Sequence, residues 1–571
     1  MKPAAKSASF LLHLYCTIDY AMSKPIIYQM LPRLWGNISG DRIPWGTIEE
    51  NGCGTFSKID AASLEYLRTM GFSHVWYTGI IKHATRCSTK GCSPSDPSWV
   101  KGEAGSPYSI TDYFAVNPYL ADNPDNAMEE FEDLVRRTHD AGLKVIIDFV
   151  PNHVARDYGK HSAQPVENGL DANGYPVLGA DDDKTQHWTE SNDFYYYPGQ
   201  HLKLPVKGSY KEFPAKASGN CYSPEPGIND WFDTVKINYC DYHTGTWDKM
   251  REVIRFWASK GVDGFRCDMV ELVPAEFLTW LISSIKEEYK DIIFIAEVYQ
   301  KHQYANYIRK VGFDYLYDKS GLYDALKDIV RKNAEDSMAP TGEWQSTRRI
   351  TGNWQFLGDL QPKMLNFLEN HDEPRFGSPE ICKDPNHCFA ALYVSMFLNT
   401  APFMLYFGEE VGERGIDEEG MSGLNNRTTI FDWWKINSVS KLYREIHGEK
   451  SLDDCSFKLL GKFRAALHIA STEDAVTKGV TYDLCYCNMN SAGFDRDRHF
   501  AFLRHYGDST LLFVSNFSDK DAEIDLWIPE HAFNWLEMKK TTHLNPDEPL
   551  HVSVKAYDAV MIRLLPDPCQ S

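Results

Sequence analysis

No stretch of this 571-residue chain is long and apolar enough to span a bilayer. Positive charge is also scarce. The 59 Lys and Arg stand against 80 Asp and Glu, a formal net charge of −21. Nucleic acids and anionic membrane surfaces reward a basic face, so neither is expected as a partner. Internal repeats and low-complexity linkers are missing, which excludes solenoids and long spacers. The 13 cysteines form no framework. Their number is odd, Cys485 and Cys487 sit too close for a zinc knuckle, and Cys87 with Cys92 lacks a second pair at ligand spacing. Cys267, inside an apolar run, reads as a buried free thiol. Free thiols favour a reducing compartment, so a cytoplasmic location is expected. Export is the alternative. Lys2 and Lys6 precede an apolar run at 10–15 that imitates a signal peptide, but it contains His13 and has no clean cleavage site. Met22 offers another start, and residues 1–24 read as an extension outside the fold.

The length calls for two or three domains. Short apolar or aromatic runs alternate with amphipathic stretches, the pattern of βα units around a parallel sheet. Strands are expected at 26–30, 74–77, 145–149, 264–268, 292–296, 313–317, 364–368 and 403–407. Eight is the number that closes a (β/α)8 barrel. Between them, Phe131, Leu134 and Val135 form a helical stripe stopped by Gly142, and Met250, Val253, Ile254 and Trp257 form another stopped by Gly261. The Gly-, Pro-, Asp- and aromatic-rich stretch 154–231 breaks the alternation and reads as a subdomain inserted after strand 3. Beyond residue 450 strands dominate. The expected fold is therefore an α/β TIM barrel (25–153 and 232–450), an inserted subdomain B (154–231) and a C-terminal antiparallel β-sandwich domain (451–571).

Functional residues of a parallel barrel gather at the C-terminal strand ends. The third strand ends in Asp148-Phe149-Val150-Pro151-Asn152-His153, the fourth in Arg266-Cys267-Asp268, the fifth in Ala296-Glu297, and the seventh in Glu369-Asn370-His371-Asp372. Carboxylates, histidines and an arginine thus converge on one mouth. Such a group suits glycosidic bond cleavage, which needs one ionised carboxylate and one protonated acid. Arg266 lies two residues before Asp268, on the same side of a strand, where its charge favours the ionised Asp268. Glu297 follows an apolar strand with no basic neighbour in sequence, so desolvation should keep it protonated.

These four strand ends, in this order, resemble the four sequence motifs of the α-amylase family of glycoside hydrolases. Tyr28-Gln29, the stretch 64–76, and Gly105-Ser106-Pro107-Tyr108 through Asp112-Tyr113 are similar to its upstream segments. The resemblance covers about 25–435 and implies roles. Asp268 would be the nucleophile, Glu297 the acid/base, and Asp372 the stabiliser of the distorted sugar. Arg266 would orient Asp268, His153 and His371 would hydrogen-bond the sugar, and Tyr108 would stack beneath it. Asn370 and Arg375 would support these from behind. The implied activity is retaining hydrolysis of α-1,4-glucosidic bonds in α-glucans or maltooligosaccharides. Glucosyl transfer through the same intermediate is the alternative, and a non-catalytic binder is disfavoured because the triad is complete. Asn152 matches the family's calcium-ligating asparagine, which implies a calcium ion there, although such an asparagine also serves to pin its loop. Asp181-Asp182-Asp183 supplies oxygen ligands or forms a solvated acidic turn. Glu271 and Leu272 stand where many members carry lysine and calcium-dependent members carry histidine, so the calcium site and leaving-side specificity depart from the best-known pattern.

Overall fold

The computed structural model describes residues 24–88, 93–160, 169–240, 243–331, 345–540 and 544–564. The expected extension, apart from Lys24, and Cys92 lie outside them.

All eight expected strands form: Ile26–Met30, His74–Tyr77, Lys144–Phe149, Gly264–Cys267, Ile293–Ala296, Tyr315–Tyr317, Met364–Phe367 and Phe403–Tyr406. They close into a barrel in which each pairs in parallel with its neighbours in sequence, the last returning to the first through Ile27 beside Met404. Side chains alternate between the two faces, as a strand requires. Ile27, Trp76, Ile146, Ile295, Leu365 and Met404 fill the interior. Tyr28, Val75, Ile147, Phe265 and Phe294 face outward and join the helices in the main core. Gly264 is where the interior is tightest, since a Cβ there would sit 2.6 Å from the Ile293 side chain. The helices follow the apolar stripes. Ala127–Asp140 buries Phe131, Leu134 and Val135, and Gly245–Ser259 buries Met250, Val253, Ile254 and Trp257.

The excursion after the third strand is tied at its neck by His153–Ala155 running antiparallel to Thr234–Lys236. Among its described residues the chain is mostly turns with one short ribbon, Tyr196–Tyr197 with Ala215–Lys216. Asp181, Asp182 and Asp183 lie here. Asp182 accepts from the backbone N–H of Asp193 and the Tyr196 hydroxyl, and Asp183 from Thr185, so two of the three carboxylates serve the turn.

The C-terminal unit is a sandwich. A four-stranded antiparallel sheet faces the ribbon Ala522–Leu526 with Leu550–Val554, and Leu503, Leu512, Val514, Ile524, Val552 and Val554 meet between them. The strands expected soon after residue 451 start later. Asp454–Thr472 is a 19-residue helix, not strand. Its Leu459, Leu460, Phe463, Ala466, Leu467 and Ala470 recur at helical spacing and are buried in the main core. The β strands begin only at Val480–Asp483. Lys, His, Arg and Ser on the outer face dilute that stripe in the sequence.

Candidate active site

The fourth strand delivers Arg266 and Asp268 to the mouth on the same side. Arg266 is fully buried and donates through Nη1 to Asp268 Oδ1 at 2.7 Å. Its Nη2 lies 2.9 Å from Glu297 Oε2 and 3.9 Å from Asp372 Oδ2, and Nη1 lies 3.7 Å from Asp148 Oδ1. One guanidinium therefore sits among four carboxyl groups. Three rings surround it, Trp76, Tyr108 and Tyr317, each 5.4–5.6 Å from Cζ to centroid. Arg266 is buried in that enclosure, and a pair broken inside it leaves an uncompensated charge.

Burial is the largest influence on every carboxyl here. It pushes Asp268 above the ordinary range, with Arg266 opposing. The arginine was expected to dominate, but desolvation outweighs it. Glu297 is also raised by burial, as expected, and Arg266 opposes there too. The sequence shows no base beside Glu297; the barrel supplies one. Burial raises Asp148 to about 7, and burial with Glu297 raises Asp372 to about 7. Four acids around one cation cannot all ionise, and the protons they retain belong to the group. Asp268 and Glu297 each lie within 2.9 Å of that cation.

The turn after Asp268 is strained. Met269 has φ +45°, the left-handed region that a non-glycine residue seldom enters. That conformation turns its N–H toward Glu297 Oε2 at 2.9 Å. The other oxygen of Glu297 accepts from the Tyr299 hydroxyl at 2.5 Å. The Glu271 carboxylate accepts from the N–H groups of Tyr299 at 2.8 Å and Gln300 at 3.1 Å, which fixes the loop that carries Tyr299. Tyr299 was not singled out from the sequence; its position two residues past Glu297 was the only signal.

On the opposite wall, Gln29 Nε2 donates to His371 Nδ1 at 2.9 Å, which leaves the proton of this imidazole on Nε2. Nε2 faces the Tyr108 hydroxyl at 2.5 Å and Asp372 Oδ2 at 3.1 Å, while Tyr108 donates to Asp148 Oδ1 at 3.2 Å. Tyr108 stacks on His371, 5.2 Å between centroids. Burial lowers the pKa of His371 well below its ordinary value and that of His153 to about 3, so both are neutral donors or acceptors. Asn370 Oδ1 accepts from the N–H groups of Asp372 and Glu373, both at 2.9 Å, and Arg375 pairs with Glu369 at 2.8 Å behind them. Both act as supports and do not enter the cavity.

Asp268, Glu297, Asp372, Tyr108 and His153 line one cavity of about 230 Å³. Residues not expected from the sequence also line it, among them Trp231, Thr234, Phe431 and an ion pair of Lys101 with Asp233 at 2.9 Å.

The position expected to hold calcium does not fit an ion. Lys236, from the neck strand opposite His153, donates its ammonium to Asn152 Oδ1 and to the carbonyl of Leu272 at 2.7 Å. Asn152 Nδ2 is spent on Gly219 O at 2.9 Å. Among the described residues no group of three or more His, Cys, Asp or Glu is arranged to hold a metal.

The family model for the catalytic domain of alpha amylase matches residues 31–498. The chain belongs to the α-amylase family. Within the family it is similar to the trehalose-6-phosphate hydrolase of Bacillus subtilis, 21% identical over 96% of this chain and 98% of that protein. It is also similar to a cyclomaltodextrin glucanotransferase of a Bacillus species, 23% identical over 74% of this chain and 54% of that one. A crystal structure of the Geobacillus thermoleovorans α-amylase complexed with acarbose shares the fold, with a TM-score of 0.60, 18% identity, and coverage of 95% of this chain and 99% of that one. The chain is thus an α-amylase-family enzyme acting on O-glycosyl bonds.

Proposed function

We propose that this family member hydrolyses α-1,4-glucosidic bonds of maltooligosaccharides with retention of configuration. The observation that carries this is Arg266 gripping Asp268 and Glu297 at once. Both carboxyls lie within 2.9 Å of one guanidinium, which supports a close retaining pair over the roughly 6.5–9.5 Å an inverting pair keeps open for its water. Asp268 Oδ2, not engaged by Arg266, attacks the anomeric carbon. Glu297 protonates the departing oxygen and then takes a proton from water as the glycosyl-enzyme is hydrolysed. Asp372 beside His371, with Tyr108 beneath, receives the hydroxyls of the sugar as it flattens. A cavity of about 230 Å³ encloses few rings, which favours short oligosaccharides over polymer. We further propose that no calcium is required at Asn152, because the Lys236 amine already donates to the oxygens an ion would use.

The decisive experiment is NMR of the first product from maltotriose. An α-anomer at early times is expected, and an initial β-anomer refutes double displacement. Glu297→Gln should lower kcat by orders of magnitude while still binding maltotriose; near-normal turnover refutes the acid/base assignment. Transfer is the second reading, favoured by the similarity to a glucanotransferase. Products longer than maltoheptaose, appearing early in its digestion, would mark a transferase.

A further inference from the structure

The inserted subdomain contains a second cavity, of about 480 Å³, that shares no lining residue with the first. In a chain of net charge −21 its walls are basic: Lys160, Lys184, Lys211 and Lys216 converge there. Among the described residues the only carboxylate in the lining is Glu212, and it is spent. It accepts from Arg156 at 2.9 Å, from the Lys216 N–H at 2.8 Å and from the Tyr210 hydroxyl at 3.1 Å, with the Lys216 ammonium 3.6 Å away. Lys160, Lys184 and Lys211 enter no ion pair among the described residues. Burial depresses the pKa of Lys216 most, Glu212 opposes it, and the neighbouring charges of Arg156, Lys160 and Lys184 lower it further. Between the lysines the walls are aromatic. Lys160 lies 5.7 Å from the Tyr210 ring and Lys216 5.5 Å from that of Phe194, while Phe213 is 60% exposed at the rim. Tyr158 and Tyr196 line it as well.

We propose that this cavity binds a phosphorylated saccharide, the lysines taking the phosphate ester and the aromatic walls the sugar ring. The volume lies within the range of small-molecule sites, about 300–1,000 Å³. Ammonium groups serve as phosphate partners, and the C–H faces of a sugar suit aromatic planes. No bond is made or broken here. The site is one of binding, separate from the catalytic cavity.

The test is calorimetric titration of the full-length protein with three probes: glucose 6-phosphate, inorganic phosphate and maltose. Glucose 6-phosphate should bind saturably, and less well as salt is raised. Inorganic phosphate should bind at least several-fold more weakly. Maltose, added with the catalytic cavity already filled by maltoheptaose in Glu297→Gln protein, should give no further heat. Lys184→Glu with Lys211→Glu should weaken the sugar phosphate at least tenfold and leave maltoheptaose turnover unchanged. The milder pair Lys184→Gln with Lys211→Gln should give a smaller loss in the same direction. Absence of saturable phosphate-ester binding overturns the proposal, as does equal binding by the wild type and both double variants, which would place the ligand elsewhere. Equal affinity for inorganic phosphate overturns the saccharide half.

Discussion

Replacing Tyr299 with Phe removes one hydroxyl and keeps the ring, so its effect on Glu297 can be worked out. The hydroxyl lies 2.5 Å from Glu297 Oε1. A hydrogen bond to an ionised partner contributes about 1.5–3 kcal/mol. Each pKa unit corresponds to about 1.4 kcal/mol, so complete loss would move the acid by about 1–2 units. Tyr299 lines the cavity, and water entering the vacated space would return part of this. A shift of about one unit is expected. The donated hydrogen bond favours the ionised carboxylate and holds the pKa down, so removing it moves the pKa up. The alkaline limb of kcat/KM reports loss of the proton from Glu297 and should therefore move to higher pH by about one unit. The assay is kcat/KM for maltotriose across pH, beside an aryl maltoside whose leaving group needs little protonation. The maltotriose limb should move, and the aryl substrate should lose little at its optimum. A limb that stays in place or moves down refutes the coupling. A fall in kcat for both substrates with the limb fixed would assign the hydroxyl to substrate instead.

Three further perturbations test other parts of the site. Arg266→Lys keeps a positive charge but cannot reach Asp268 and Glu297 together, so maltotriose kcat should fall at least a hundredfold; a loss under tenfold would show that the bridge is dispensable. Lys236→Met leaves Asn152 Oδ1 and the Leu272 carbonyl without their buried donor, at about 1–3 kcal/mol each, so Tm should drop, whereas a chelator should leave the wild-type Tm unchanged; a chelator-induced drop reversed by calcium would overturn the proposal of calcium independence. Asp372, raised from its ordinary 3.8 to about 7, holds its proton in the native state where the unfolded chain has lost it, so between those values stability falls as pH rises. Asp372→Asn should cancel that loss and raise stability at pH 7 by about 1–2 kcal/mol, a figure reduced because the side chain is 39% exposed, while abolishing turnover; unfolding at pH 5 and pH 7 gives the comparison.

The eight barrel strands were legible because each is a short apolar run bounded by turn residues, and a run buried on both faces admits few other readings. The convergence of Asp268, Glu297 and Asp372 on one cavity was legible because a barrel gathers its strand ends at one mouth, so sequence position already fixes location. The helix Asp454–Thr472 was missed because its buried stripe is interleaved with Lys, Arg, His and Ser. Lys236 was missed for another reason. Its partner Asn152 is 84 residues away, and only the antiparallel register of the neck brings them together. Nor can a sequence show how many directions one side chain serves. Arg266 was read as the neighbour of Asp268, but barrel closure places it among Asp148, Glu297 and Asp372 as well.

The lysine at the neck also changes what the surroundings can do to this protein. An ion drawn from solution stabilises a fold in proportion to the logarithm of its concentration over its dissociation constant, so its contribution vanishes as the medium is depleted. A cation carried on the chain obeys no such law. It is delivered with the polypeptide, one per molecule, and dilution cannot remove it. The joint between barrel and inserted subdomain thus brings its own cation from the gene, and because burial lowers the Lys236 pKa to about 7, the joint answers to the acidity of the medium rather than to its stock of ions.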